Sequence, residues 1–169
     1  MSDPGKPGPL SRVVNVERLP PGRGAVTVEA TPAEAEALAR DFGIPAIRDL
    51  VGRFAVSGPT SRLLVTGTVE ALVTQVCTVS LEPFEARVSE PVEVTFTDTD
   101  RLAGTDAEDA DVPDPIVGGR LDFGVLTAEF LALGLDPYPR RPGIQFEEVE
   151  VGAGVKPFEA LRTLRDPEG

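Results

Sequence analysis

Histidine and tryptophan are absent from this 169-residue chain, and cysteine, tyrosine and methionine occur once each. Each gap closes off chemistry. Without histidine there is no Ser-His-Asp or Cys-His nucleophile and no imidazole metal ligand. A single cysteine, Cys77, forbids an intrachain disulfide and any all-cysteine zinc or iron–sulfur site within one chain. The segments GPTSRL and VGGRLD lack the lysine of a P-loop and the spacing of a dinucleotide-binding glycine motif. No apolar run approaches the ~20 residues that cross a bilayer. The opening MSDPGKPGPLSRVV has neither the charged start nor the apolar stretch of a secretory signal. A cytoplasmic protein is expected, with no membrane partner, no cofactor, no metal and no catalytic residue.

Positive charge is scarce too. The chain has 28 acidic and 16 basic residues, 14 Arg and 2 Lys, for a formal charge of −12. The mean field repels DNA and RNA, whose binding rests on phosphate neutralisation, and attracts a basic partner protein.

The residues present describe an α+β fold. Residues 1–9 are Gly/Pro-rich and expected to form a disordered tail, and 10–150 a single domain. Leu10–Arg18 suggests a first strand, and Val26 and Val28 alternate with polar neighbours in a second. Next comes the strongest local signal, a helix opened by Thr31, Pro32 and Glu34 in a capping box and stopped by Gly43. Its apolar stripe is Ala35, Leu38, Ala39 and Phe42. From Ile47 to Phe96 the text is rich in Val and Thr, punctuated by GPTS and LEPFE turns, with Val65, Gly67 and Val69 set against Leu64, Thr66 and Thr68. This predicts a twisted antiparallel sheet, open or closing partly into a barrel, with two or three helices packed on it.

Residues 98–115 carry seven acids, one Arg and two prolines, and read as a long solvated loop. Its Asp-x-Asp start invites a calcium reading, which fails for want of the sixth-position Gly and twelfth-position Glu of an EF-hand. After it, Asp122 is a plausible cap for a helix whose Phe123, Leu126, Phe130 and Leu133 recur at helical spacing. Val125, Leu131 and Leu135 make this helix apolar nearly all round, with Glu129 its one interior charge. A central core helix is the favoured reading, and a face half open to a partner the other. Pro137 and Pro139 end it, around Tyr138 and before Arg140 and Arg141. Tyr138 reads as an anchor for the chain leaving the helix, or as a recognition corner. In the last segment, 151–169, Phe158, Leu161 and Leu164 form a short amphipathic motif, docked or tethered. Cys77 lies in a Val/Thr strand with no base at hand, and reads as a small buried hydrophobe.

Three blocks in order carry a family resemblance: VTGTVEALVTQVCTVSLEPFEARV (Val65–Val88), GRLDFGVLTAEFLALGLDPYPRRPG (Gly119–Gly143) and KPFEALRTL (Lys156–Leu164). Together they resemble the YceD family, bacterial proteins named for accumulation of large-subunit ribosomal RNA. The family positions carried here are Cys77, Pro83, Asp122, Pro137 and Pro139. Ser80 stands where many members have a second cysteine, so a cysteine-pair metal or redox role does not carry over. The resemblance implies a non-enzymatic role in 23S rRNA synthesis, processing or stability. Joined to the charge, it suggests an adaptor for a basic ribosomal protein or rRNA-processing factor. Glu129, Phe130, Tyr138, Arg140, Arg141, Phe158 and Leu161 are the candidate partner-binding residues. Two alternatives remain open at this point. One is direct RNA contact through Arg140, Arg141, Arg162 and Arg165; the other is a metal-dependent hydrolase or nuclease using acidic-loop carboxylates.

Overall fold

A computed structural model of the chain describes residues 8–20, 24–98 and 114–145. Five strands form the main sheet in the order β2 (Gly24–Glu29), β3 (Ala46–Ser57), β4 (Leu63–Val76), β5 (Pro83–Asp98) and β6 (Asp114–Ile116). The first four pair antiparallel, and β6 joins β5 in parallel through Phe96, Thr97 and Asp98. The sheet is open: among the described residues β2 and β6 are its two ends and do not meet, so no barrel closes. A separate ribbon pairs β1 (Val13–Asn15) with β7 (Arg120–Asp122). The strand expected over Leu10–Arg18 is thus confined to three residues. Its continuation winds into a short 3-10 turn, Val16–Arg18, because the Asn15 side chain accepts the Glu17 N–H and caps it.

Alternation makes the sheet two-sided. On β4, Val65, Val69, Ala71 and Val73 are buried, while Thr66, Thr68 and Thr74 on the opposite side are not. Register carries the pattern across: Val65 faces Val56 of β3 and Val94 of β5, and Ala71 faces Val88. Two helices cover this apolar side, α1 (Pro32–Phe42) and α2 (Phe123–Gly134), and one continuous core joins sheet and helices. Helix α1 carries the expected capping box and ends at Gly43 in the left-handed conformation, φ 66°. No described helix covers the opposite face of the sheet, where Arg53 and Arg87 both reach the Glu70 carboxylate across three strands.

Helix α2 sits centrally. Phe123 is fully buried and stacks at a tilt on Phe54, ring centres 5.4 Å apart. Thr127, also fully buried, satisfies its hydroxyl by donating to the Phe123 carbonyl at 2.7 Å. The first turn lies so close to the N-terminal segment that a Cβ on Gly124 would stand 2.7 Å from the Arg12 nitrogen. At the other end, a Cβ on Gly134 would meet the side chains of Glu90 and Val88 at 2.4 and 2.6 Å. Glycine at both ends therefore lets α2 press onto the segment that leads into β1 and onto β5. The helix runs opposite to β5, its start beside Phe96 and its end beside Val88.

The N-terminal tail expected over 1–9 lies almost wholly outside the described residues. So do most of the 98–115 loop and the whole 151–169 segment with its third helix.

Candidate interaction surface

Cys77 ends β4 and opens the turn into β5. It stands one residue beyond the strand, not within it, because its own backbone closes the loop: its N–H donates to the Glu82 carbonyl and its carbonyl accepts the Leu81 N–H, both at 2.9 Å. The β5 strand starts at Pro83, so the turn precedes the predicted LEPFE position. The segment after α2 folds over this turn. Pro139 offers its carbonyl to the Thr78 N–H at 2.8 Å, Gln75 donates its side-chain amide to the Asp136 carbonyl at 3.0 Å, and Arg141 pairs with Glu82 at 3.0 Å. The sulfur is sealed from solvent and accepts the N–H groups of Arg141 at 3.4 Å and Ser80 at 3.5 Å. The Arg141 amide, followed by the Ser80 side chain and amide, lowers the thiol to about 6 against the opposing effect of burial. The arrangement is a packed knuckle that holds the exit from α2. Its only sulfur is unpaired.

Asp122 caps α2 as expected, accepting the amides of Gly124 at 2.9 Å and Val125 at 3.1 Å. It also holds the N-terminal segment, taking the Arg12 amide at 2.7 Å and the Ser11 hydroxyl. Burial pushes its carboxyl up, but these four donors outweigh burial and leave it below its ordinary value. Arg12 continues the strap to α1 through a two-pronged pair with Glu34, at 2.8 and 2.9 Å. That pairing, with the Thr31 amide, lowers Glu34 to about 2. These are structural duties.

The partner-binding candidates separate. Phe130 is half-buried and packs on the core. Tyr138 is 74% exposed, so its ring is not a packed anchor; only its backbone is tied, by donation to the Asp136 carboxylate at 2.9 Å. Arg140 is exposed, and Arg141 is occupied by Glu82. Phe158 and Leu161 lie outside the described residues. Glu129 faces out of α2 beside Asp114 of β6, in a cleft of about 400 Å³ with apolar walls that include Phe96, Val125 and Leu126. Burial and then the Asp114 charge raise its carboxyl above the ordinary value. Leu133, expected in the core stripe, is 74% exposed one turn further on. Among the described residues no three potential metal ligands converge.

Residues 65–165 match the family described as large ribosomal RNA subunit accumulation protein YceD. The chain belongs to the YceD family. The match takes in the Cys77 knuckle, all of β5 and α2, and leaves β1–β3 and α1 before it. No curated protein and no solved structure matches the chain. The YceD family is described by what accumulates, not by a reaction. No helix among the described residues is long and apolar enough to cross a membrane.

Reading the sequence missed the surface acids Glu90 and Glu93, and took Asp114 only as one of the seven acids of the 98–115 loop. Glu90 and Glu93 stand in a Val-rich strand and give no local signal. What makes them matter is that among the described residues β5 has no strand on most of its outer side, which only the sheet order reveals.

Proposed function

We propose that this YceD-family protein is a non-enzymatic ribosome-biogenesis factor that supports accumulation or processing of 23S rRNA, acting as an acidic adaptor for a basic ribosomal or assembly protein. The observation that carries the reading is how the charges are disposed. Arg12, Arg40, Arg48, Arg53, Arg87 and Arg141 are all engaged by carboxylates. Glu90, Glu93, Asp114 and Glu129 have no cation within salt-bridge reach among the described residues. Exposed ion pairs add little stability, ~0–1 kcal/mol each, but they neutralise six of the ten described arginines, Arg18, Arg62, Arg120 and Arg140 being the others. The uncompensated field is negative and steers positive macromolecules. The family description supplies the biological setting, the large ribosomal subunit.

The test is affinity purification of the tagged full chain from its own cells at low and high salt, with and without ribonuclease. Recovery of a large-subunit ribosomal or rRNA-processing protein at low salt, insensitive to ribonuclease and reduced by salt, is expected. Recovery of none at low salt refutes the adaptor. Recovery that ribonuclease abolishes supports direct RNA contact instead.

A further inference from the structure

Strand β5 is 16 residues long, and β4 pairs with it from Pro83 to Phe96. On its outer side β6 covers only Phe96–Asp98. Among the described residues the outer backbone from Phe84 to Thr95 has no strand beside it, a stretch of about 40 Å. Pro91 fixes which groups face out. Proline has no N–H, and within a paired strand it is accommodated with its nitrogen on the unpaired side. Pro91 lies opposite Thr68 of β4, so its alternation mates Arg87, Ser89, Glu93 and Thr95 turn their N–H and C=O groups outward. The β6 pairing agrees with this phase. Pro115 opposite Thr97 cannot donate, so the ladder there runs through the backbone of Thr97.

This edge is bordered by acids on both sides. Glu93 stands on the open face, Glu90 on the helix face beside Gly134, and Glu129 with Asp114 at the β6 end. Helix α2 forms a ledge along it: Val125, Glu129 and Leu133 fall at i, i+4 and i+8 and share one side. Such edges are usually guarded by charge and proline against indiscriminate pairing. Here the guard from Glu90 to the β6 end has one sign, and the one cation of the strand, Arg87 near its start, is turned to Glu70 on the open face. A second copy would set Glu90 and Glu93 against their equivalents. The chain's own 98–115 segment, with seven acids, would add like charge. A basic strand would not be repelled.

We propose that the open edge of β5, with the Val125–Glu129–Leu133 ledge, is a docking groove for an extended Lys/Arg-rich segment of a partner protein, added as a further strand of the sheet. Backbone groups of Arg87, Ser89 and Glu93 supply the ladder, and pockets for alternate side chains supply selectivity. The cleft between Phe96, Leu126, Asp114 and Glu129 takes one basic side chain, its stem on the apolar walls and its head between the carboxylates. This rests on the adaptor reading and names the site through which it acts.

The experiment is amide hydrogen exchange by NMR on the full chain, alone and with a short synthetic peptide alternating Lys and Val. The Glu/Val counterpart is the control. Exchange of the Ser89 and Glu93 amides should slow by about tenfold or more with the basic peptide and stay unchanged with the acidic one. The full chain carrying Glu90→Lys and Glu93→Lys should bind the basic peptide about tenfold more weakly, with core amides such as Val65 exchanging as before. Failure of the peptide to protect these amides overturns the proposal. So does protection already present in the free chain, where its own segment fills the edge. Protection that grows with protein concentration, where a second copy fills it, overturns it equally. The same double variant in the affinity purification separates the two readings: undiminished recovery of ribosomal proteins refutes the edge and leaves the adaptor standing, whereas no recovery by the unaltered chain refutes the adaptor itself.

Discussion

Cys77 shows how far one residue's identity travels and where it stops. Its burial follows from being the sole thiol in an apolar context without a base. Its hydrogen bonds were hidden from sequence, since Arg141 lies 64 positions away and reaches the sulfur only because Pro139 docks on Thr78. Three carboxyl or thiol groups have folded pKa values below their unfolded ones: Cys77 at about 6, Glu34 at about 2, and Asp122. A depressed value means the folded state prefers the charged form, so the stabilisation is complete above the unfolded pKa and disappears as pH falls through the folded one. For Cys77 the window runs from about 9 down to about 6. Urea unfolding at several pH values should show a gain in stability across this window that the Cys77→Ala chain lacks; parallel curves for the two chains would contradict the assignment. Asp122 was legible as a helix cap, but not as the clasp for Ser11 and Arg12, more than a hundred positions earlier. Asp122→Ala should therefore cost about 2 kcal/mol, the upper end for a lost cap, because buried donors are orphaned as well. Denaturant midpoints measure it, and a loss below about 0.5 kcal/mol would mean the cap acts alone or not at all.

At the scale of elements, α1 was readable to the residue because its capping box and Gly43 stop are encoded within a few positions. Strand identity was readable too, since Val/Thr alternation dictates two unlike faces. Strand order was not. Nothing local tells that β6 pairs in parallel with β5, or that β1 leaves the main sheet for β7. Helix α2 combines both cases: Phe123 and Leu126 are buried and Phe130 packs on the core as the spacing implied, whereas Leu133 faces out and Leu131, outside that stripe, is buried. The apolar composition all round the helix suited either orientation, and the sheet edge decided it. The β4–β5 turn holds one element-scale strain. Leu81 takes φ 62° and is 76% exposed, so its side chain contributes no core contact while its backbone sits in the region that favours glycine. That conformation costs a non-glycine residue ~1–3 kcal/mol, against ~0.5–1 kcal/mol of extra chain entropy for glycine. Leu81→Gly should accordingly raise unfolding stability by about 1 kcal/mol. A destabilised variant in thermal or urea melts would show that the leucine side chain has a packing role in the turn.

On the scale of the whole molecule, the decisive quantity is where charge lies relative to backbone left unpaired. Net charge of −12 was open to anyone counting residues. That many arginines are spent on internal pairs, while Glu90, Glu93, Asp114 and Glu129 ring a strand position unfilled among the described residues, required the folded arrangement. The family resemblance was also visible in three sequence blocks, and the match over residues 65–165 bears it out. The most direct test of the adaptor is crosslinking of the full chain inside its own cells, with the crosslinked peptides identified by mass spectrometry. The account predicts links from the β5–α2 side, around Glu90, Glu93 and Glu129, to a basic large-subunit ribosomal protein or assembly factor. Links from that side to RNA alone, or to no component of the large subunit, would contradict it.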